Sequence, residues 1–143
     1  MTKAVLQEAN IRIGETVASK EEAIRKAGNL LVENGYVNKE YVEKMMEREE
    51  VTSTFMGNFL AIPHGTEDAK KEVIESGISI HLLDEPIDWD GNEVKLVIGI
   101  AGKGDEHLSI LSNIAITCSE DTLQQILSAD SSGELMELFS GVE

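Results

Sequence analysis

Residues 94–106 read VKLVIGIAGKGDE, and the class of fold follows from them. The first eight are apolar almost without a break and rich in branched side chains. A strand with one wet face alternates apolar and polar residues, whereas a continuous run is a strand covered on both faces. GKGDE then supplies a loop, with Asp105 placed to cap a helix. The run that follows, 106–118, is mostly apolar and predicts a buried helix.

Upstream, GISIHLL (77–83) sets Ile78, Ile80 and Leu82 against Ser79, His81 and Leu83, which reads as a strand. DEPIDWDGNE (84–93) carries turn residues and reads as a connection. Strands joined so briefly pair antiparallel. Ser19 and Glu22 have capping-box spacing and open a helix with Ile24, Ala27 and Leu31 on one face. Asn34-Gly35 closes it, Gly35 suiting the left-handed cap. Asn38 is placed to cap a second helix through Tyr41, Met45 and Met46 to about Glu50. FMGN marks a bend, and FLAI a short buried strand. TEDAKKEV (66–73) predicts a brief helix, and SEDTLQQIL and SSGELMELF two more, Ser131 and Glu134 repeating the capping-box spacing. The expectation is an α/β fold: a single domain over residues 1–143, with a central mixed sheet of three or four core strands and helices on both sides. Strand order is not readable at this level.

Charge and cysteine narrow the function classes. Twelve Lys and Arg stand against 27 Asp and Glu, a formal net charge of −15. Nucleic acid needs a basic face, so it is not an expected partner. No stretch has the length and apolarity of a membrane span, and the N-terminus lacks the apolar core of a signal peptide. The single cysteine, Cys118, excludes an internal disulfide and a Cys-rich zinc module. It ends an apolar helix and reads as a small hydrophobe. A cytoplasmic monomer is expected.

The chemistry concentrates in LAIPHGT, residues 60–66. Pro63 sets its own φ and pushes Ile62 into extended geometry. Gly65 permits a sharp turn and close backbone approach. Together they end a strand and present one imidazole, His64, where sites in α/β domains lie. Neutral imidazole is a nucleophile near pH 7. It can take a phosphoryl group on one ring nitrogen while a hydrogen bond at the other sets the tautomer, splitting one transfer into two. From these residues alone, an inert histidine in a tight turn fits as well.

The residues around it carry a resemblance. Over 49–65, EEVTSTFMGNFLAIPHG, an acid at Glu49 is followed by six residues, Met56-Gly57, two residues and Leu60-Ala61-Ile62-Pro63-His64-Gly65. This resembles the phosphorylation-site pattern of the phosphotransferase-system (PTS) EIIA type 2 family, the fructose/mannitol class, with every fixed position filled. Likeness extends over nearly the whole chain, through KEEAIRKAGNLLVENGYV, YVEKMMERE and VKLVIGIAGKGDEHLSILSNIA, and is nearest to the mannitol branch. The resemblance implies a phosphocarrier enzyme component. His64 would accept phosphate on Nε2 from the phosphohistidine of HPr. It would pass it to a cysteine of a mannitol-specific EIIB domain belonging to a membrane EIICB. Phosphoenolpyruvate would be the ultimate donor, and no cofactor or metal is implied. Arg48 and His107 match the family's active-site arginine and second histidine. Thr66, Gly65 and Asn58 are expected as support for the phosphate, with ordinary turn or helix-start roles open for Thr66 and Asn58.

Other readings stay open here. A fructose-type EIIA, or a phosphorylation-dependent regulatory module like the nitrogen-linked relatives, shares the pattern. A zinc site on His64, His81 and His107 has the residue types but none of the short helical spacings. His81 reads as structural, and Trp89 as a lid or packing residue. Partners are expected to bring an arginine-bearing convex face to a shallow apolar depression ringed by acids.

Overall fold

The computed structural model describes residues 5–139. The outermost residues of the domain expected over 1–143 lie outside the described residues. Five strands form one mixed sheet: β1 (Ile11–Glu15), β2 (Phe55–Gly57), β3 (Leu60–Ala61), β4 (Gly77–Trp89) and β5 (Asn92–Ala101). Their order is β1-β4-β5-β3-β2. β4/β5 and β2/β3 are antiparallel; β1/β4 and β3/β5 are parallel. The sheet is mixed, as expected, but its five strands exceed the three or four predicted for the core. Two strands depart from expectation: β1, because IRIGE contains Arg12 and Gly14 and shows no apolar run, and β2, because Phe55–Gly57, read as a bend, pairs with β3 in a short hairpin.

β5 is the central strand the sequence predicted. From Leu96 to Ala101 every residue is buried. From Leu96 onward its even and odd residues serve two separate cores, and the ladder irregularity before Leu96 brings Val94 to the same face as the odd residues. Leu96, Ile98 and Ile100 pack with Ile78, Ile80 and Leu82 of β4 on one face. Val94, Val97 and Ala101 pack with Leu83 and Trp89 on the other. Each large aliphatic side chain buried this way stabilises the fold by about 1.5–3 kcal/mol.

The segment 84–93 departs from expectation. It is not a loose connection: β4 runs on to Trp89, and Trp89 pairs with Asn92 across a two-residue turn. Asp90 and Gly91 both have positive φ, +54° and +93°, the backbone of a tight hairpin turn. Pro86 falls inside an irregularity of the ladder between Leu82 and Ile87, where its missing N–H costs no pairing.

α1 (Lys20–Glu33) and α2 (Glu40–Val51) cover one face of the sheet. α3 (Glu106–Thr117), α4 (Glu120–Leu127) and α5 (Ser132–Leu138) cover the other. Ser19 Oγ accepts from Glu22 N and Ser131 Oγ from Glu134 N, as their spacing predicts. Glu22 reaches back to Ala18 N rather than to the serine. Gly35, at φ +81°, turns the chain out of α1. Two expected caps fail. Asn38 donates its side chain to Glu72, and Asp105 stands at the N-cap position without a side-chain cap bond. TEDAKKEV forms a 3-10 helix over Glu67–Glu72.

α3 is the largest correction. Its apolar sequence predicts burial, yet it meets the sheet through Ile110 and Ile114, while Leu108 and Ile116 are 70% and 72% exposed. One apolar stripe of the helix is used, and other apolar side chains remain at the surface. Among the described residues, no helix is long and apolar enough to cross a membrane.

Candidate active site

β3 ends at Ala61, but its register with β5 persists past the proline. Leu60 faces Leu96, Ala61 faces Val97, and His64 faces Ile100 at the same offset. Ile100 N donates to Pro63 O at 3.0 Å. The Pro-His-Gly turn is thus an extension of the sheet, held against the C-terminal end of β5. This places His64 beyond the carboxyl ends of two parallel strands, a common position for sites in α/β sheets.

His64 is half-buried, and its Nδ1 lies 2.8 Å from Ile62 O. A carbonyl only accepts, so Nδ1 carries the proton, and a neutral ring then keeps its lone pair on Nε2. Burial pushes the His64 pKa below the usual 6.5; the Ile62 hydrogen bond opposes this and the Arg48 charge adds to it. Neutral His64 therefore prevails at neutral pH.

Gly65 is needed for close approach rather than for φ. A Cβ there would stand 2.7 Å from Cε1 of Tyr41. Tyr41, from α2, is buried against the turn. Its hydroxyl accepts from Gly65 N at 2.9 Å and donates to Ile100 O at 2.7 Å. One phenol thus ties α2, the turn and β5 together, and burial pushes its pKa up to about 12. Sequence reasoning had assigned Tyr41 only to a helix face. Gly102 plays a similar part for α3: a Cβ there would meet His107 Cα at 2.3 Å.

That contact brings His107, in the first turn of α3, to the site. The His64 and His107 ring centroids are 5.0 Å apart, with planes tilted by 57°. Burial, followed by the charges of His64 and Lys70, keeps the His107 pKa low. α3 also directs the positive end of its dipole here, which favours an anion. Arg48 enters from the last turn of α2, where its Nη1 donates to Thr52 O at 2.8 Å. It is neither buried nor paired with Glu49 or Glu50 in the way a helix-end arginine would be, and its other donors remain for an anion.

His64, His107, Arg48, Gly65 and Thr66 together line a depression of about 320 Å³, along with Tyr41, Glu67, Lys70, Leu108 and Leu111. Lys70 was not singled out from sequence; it sits in an i, i+3 ion pair with Glu67 at 3.5 Å. Thr66 directs its hydroxyl to Asp68. Asn58 is not part of this lining. It stands in the β2–β3 turn at φ +51°, at the opposite end of β3 from His64, so its role is in the turn. The three histidines do not converge, since His81 binds Glu15 and lines a different cavity between β1 and α1. Trp89 is fully buried, a packing residue and not a lid, and Cys118 is a buried hydrophobe with its thiol pKa pushed up to about 12 by burial.

Comparison with known proteins places this geometry. Residues 4–142 match the family described as "Phosphoenolpyruvate-dependent sugar phosphotransferase system, EIIA 2". The chain is 55% identical over 143 residues to the mannitol-specific phosphotransferase enzyme IIA component of Halalkalibacterium halodurans, covering 99% of each. It is 56% identical over 140 residues to the Bacillus subtilis component of the same name, covering 96% of this chain and 98% of that one. Among solved structures it resembles enzyme IIAMtl in the complex with phosphorylated enzyme IIBMtl from Escherichia coli. The TM-score is 0.87 at 36% identity, over 95% of this chain and 97% of that one.

Proposed function

The chain belongs to the phosphotransferase-system EIIA type 2 family, as a phosphotransferase component, and from that premise we propose that Nε2 of His64 is its phosphoryl carrier atom. The observation that supports this most is the Nδ1 bond to Ile62 O, which leaves Nε2 as the nucleophile. In the first step the Nε2 lone pair attacks the phosphorus of phosphohistidine on HPr. A new N–P bond forms as the donor's N–P bond breaks, and the donor imidazole keeps the electron pair. In the second, a cysteine thiolate of the mannitol-specific EIIB domain attacks the same phosphorus, and His64 leaves as neutral imidazole. Such transfer asks for positioning and positive charge more than for proton traffic. Arg48, His107 and Lys70 supply donors around phosphoryl oxygens, with Gly65 and Thr66 forming the backbone of the cradle.

Leu108, exposed at the rim, and Leu111 give partners an apolar surface, and the net charge of −15 favours a basic partner face. The relation to the Escherichia coli complex supports EIIB as acceptor. We place the protein in the cytoplasm as a single-domain monomer between HPr and a membrane EIICB. The test is intact mass at alkaline pH after incubation with phosphoenolpyruvate, enzyme I and catalytic HPr. One acid-labile phosphoryl group is expected, transferable to a mannitol EIIB domain in preference to a fructose one. A folded protein that gains no mass in the presence of active HPr overturns the reading.

A further inference from the structure

Glu49 is the acid of the signature, one residue after Arg48, and it is only 6% exposed. A carboxylate taken out of water needs donors. Its two oxygens receive Thr54 N at 3.2 and 3.1 Å, Thr54 Oγ1 at 2.5 Å and Trp89 Nε1 at 3.0 Å. Thr54 is itself buried. Its carbonyl accepts from Ile62 N at 3.0 Å, and the Ile62 carbonyl accepts the His64 Nδ1 proton at 2.8 Å. On the other side of the same short loop, Thr52 O holds the Arg48 guanidinium at 2.8 Å.

We infer that Glu49 is a positioning residue that sets both halves of the phosphoryl site: through Thr54 and Ile62 it fixes the His64 tautomer, and through the 52–54 loop it aims Arg48. This rests on His64 as the carrier. Glu49 has no hydrogen bond to His64 and does not line the depression, and its charge is the smallest of the influences on the His64 pKa, so its main effect runs through backbone placement. A glutamine in its place can still accept from Thr54 N and Trp89 Nε1 while its amide donates to the Thr54 hydroxyl. A methionine of similar length can do neither.

The experiment compares Glu49→Met with Glu49→Gln by two readouts: imidazole NMR of the unphosphorylated protein, which reports the proton-bearing nitrogen of His64, and the rate of phosphorylation by phosphoenolpyruvate, enzyme I and HPr. Glu49→Met is expected to mix the two tautomers and slow phosphorylation by about 10-fold or more, the scale seen when an orienting partner is lost. Glu49→Gln is expected to restore the wild-type tautomer and most of the rate. A folded Glu49→Met protein with wild-type tautomer and rate overturns the inference. So does a slow Glu49→Gln protein with the wild-type tautomer, which would mean that Glu49 acts by charge. Should Glu49→Met not fold, Thr54→Val against Thr54→Ser asks the same question: loss of the hydroxyl must disturb the tautomer and its return must restore it, or the relay is wrong. If the wild-type protein takes no phosphoryl group, the proposed function fails while the tautomer readout still judges the relay.

Discussion

His64 and His81 lie along one sheet, and each commits Nδ1 to an oxygen. His64 uses the Ile62 carbonyl at 2.8 Å; His81 uses the Glu15 carboxylate at 2.5 Å. Their second nitrogens separate them. His64 lines an open depression beside Arg48, Lys70 and His107. His81 is 3% exposed beneath α1, and its Nε2 has no partner among the described residues. A neutral carbonyl orients the His64 ring and leaves the Nε2 lone pair free toward the depression. A carboxylate turns the ring into a staple between β1 and β4. Residue type on a strand does not distinguish the two; the oxygen each one meets does.

The sharpest way to break this comparison is to remove each imidazole. His64→Ala is expected to abolish the acid-labile phosphoryl mass entirely while circular dichroism and melting stay near wild type. An unfolded His64→Ala protein would instead make His64 structural. Next in size is Arg48→Ala. Losing one donor at a site of developing charge costs about 100-fold in rate. Rapid-quench transfer from phospho-HPr should show that loss with little change in melting temperature, and a parallel fall in both would assign Arg48 to the fold.

A smaller effect concerns pH. Burial lowers the His64 pKa, so its nucleophilic form persists past 6.5 as pH falls. The acid limb of the transfer rate should therefore have its midpoint below 6.5. The linkage has a definite sign: below 6.5 the unfolded chain binds the His64 proton more tightly, so this group's share of stability is present above 6.5 and lost as pH drops through the lowered value. Glu15, held below its usual 4.5 chiefly by the His81 hydrogen bond, adds stability that is lost only at more acid pH, as its carboxylate protonates. Two separate acid steps in a melting series would sharpen the contrast; an acid limb centred above 6.5 would contradict it. The smallest effect on activity belongs to His81→Ala. Its cost is about 1–3 kcal/mol of stability from the lost buried bond, read as a lower melting temperature, with phosphorylation unchanged.

How far the sequence reaches differs by element. The Pro63-His64-Gly65 turn, the caps at Ser19 and Ser131, the left-handed Gly35 and the doubly covered β5 are legible because each depends on residues a few positions apart. β1 was missed since an edge strand of five residues needs no apolar run. The burial of α3 was overestimated, because an apolar composition says which faces can be covered and not whether a layer lies over them. Asn58 was placed by its nearness to the signature in sequence, yet the hairpin sets it at the far end of β3.

By itself, then, the sequence determined the α/β class, the strand that ends in a presented imidazole and, through its resemblance, the family; it singled out His64, Arg48 and His107, which the structure brings to one depression. Sterics at proline and glycine and the periods of helix and strand act over a few residues, so they survive in the linear text. Only the tertiary structure decided the strand order, the His64 tautomer, the orientation of Arg48 and the hydrogen bonds of Tyr41 and Glu49. Those depend on hydrogen bonds between residues distant in the chain, 59 apart for Tyr41 and Ile100 and 40 apart for Glu49 and Trp89. A buried donor or acceptor takes whichever partner the packed layers bring to it, and that choice is made only when the layers close.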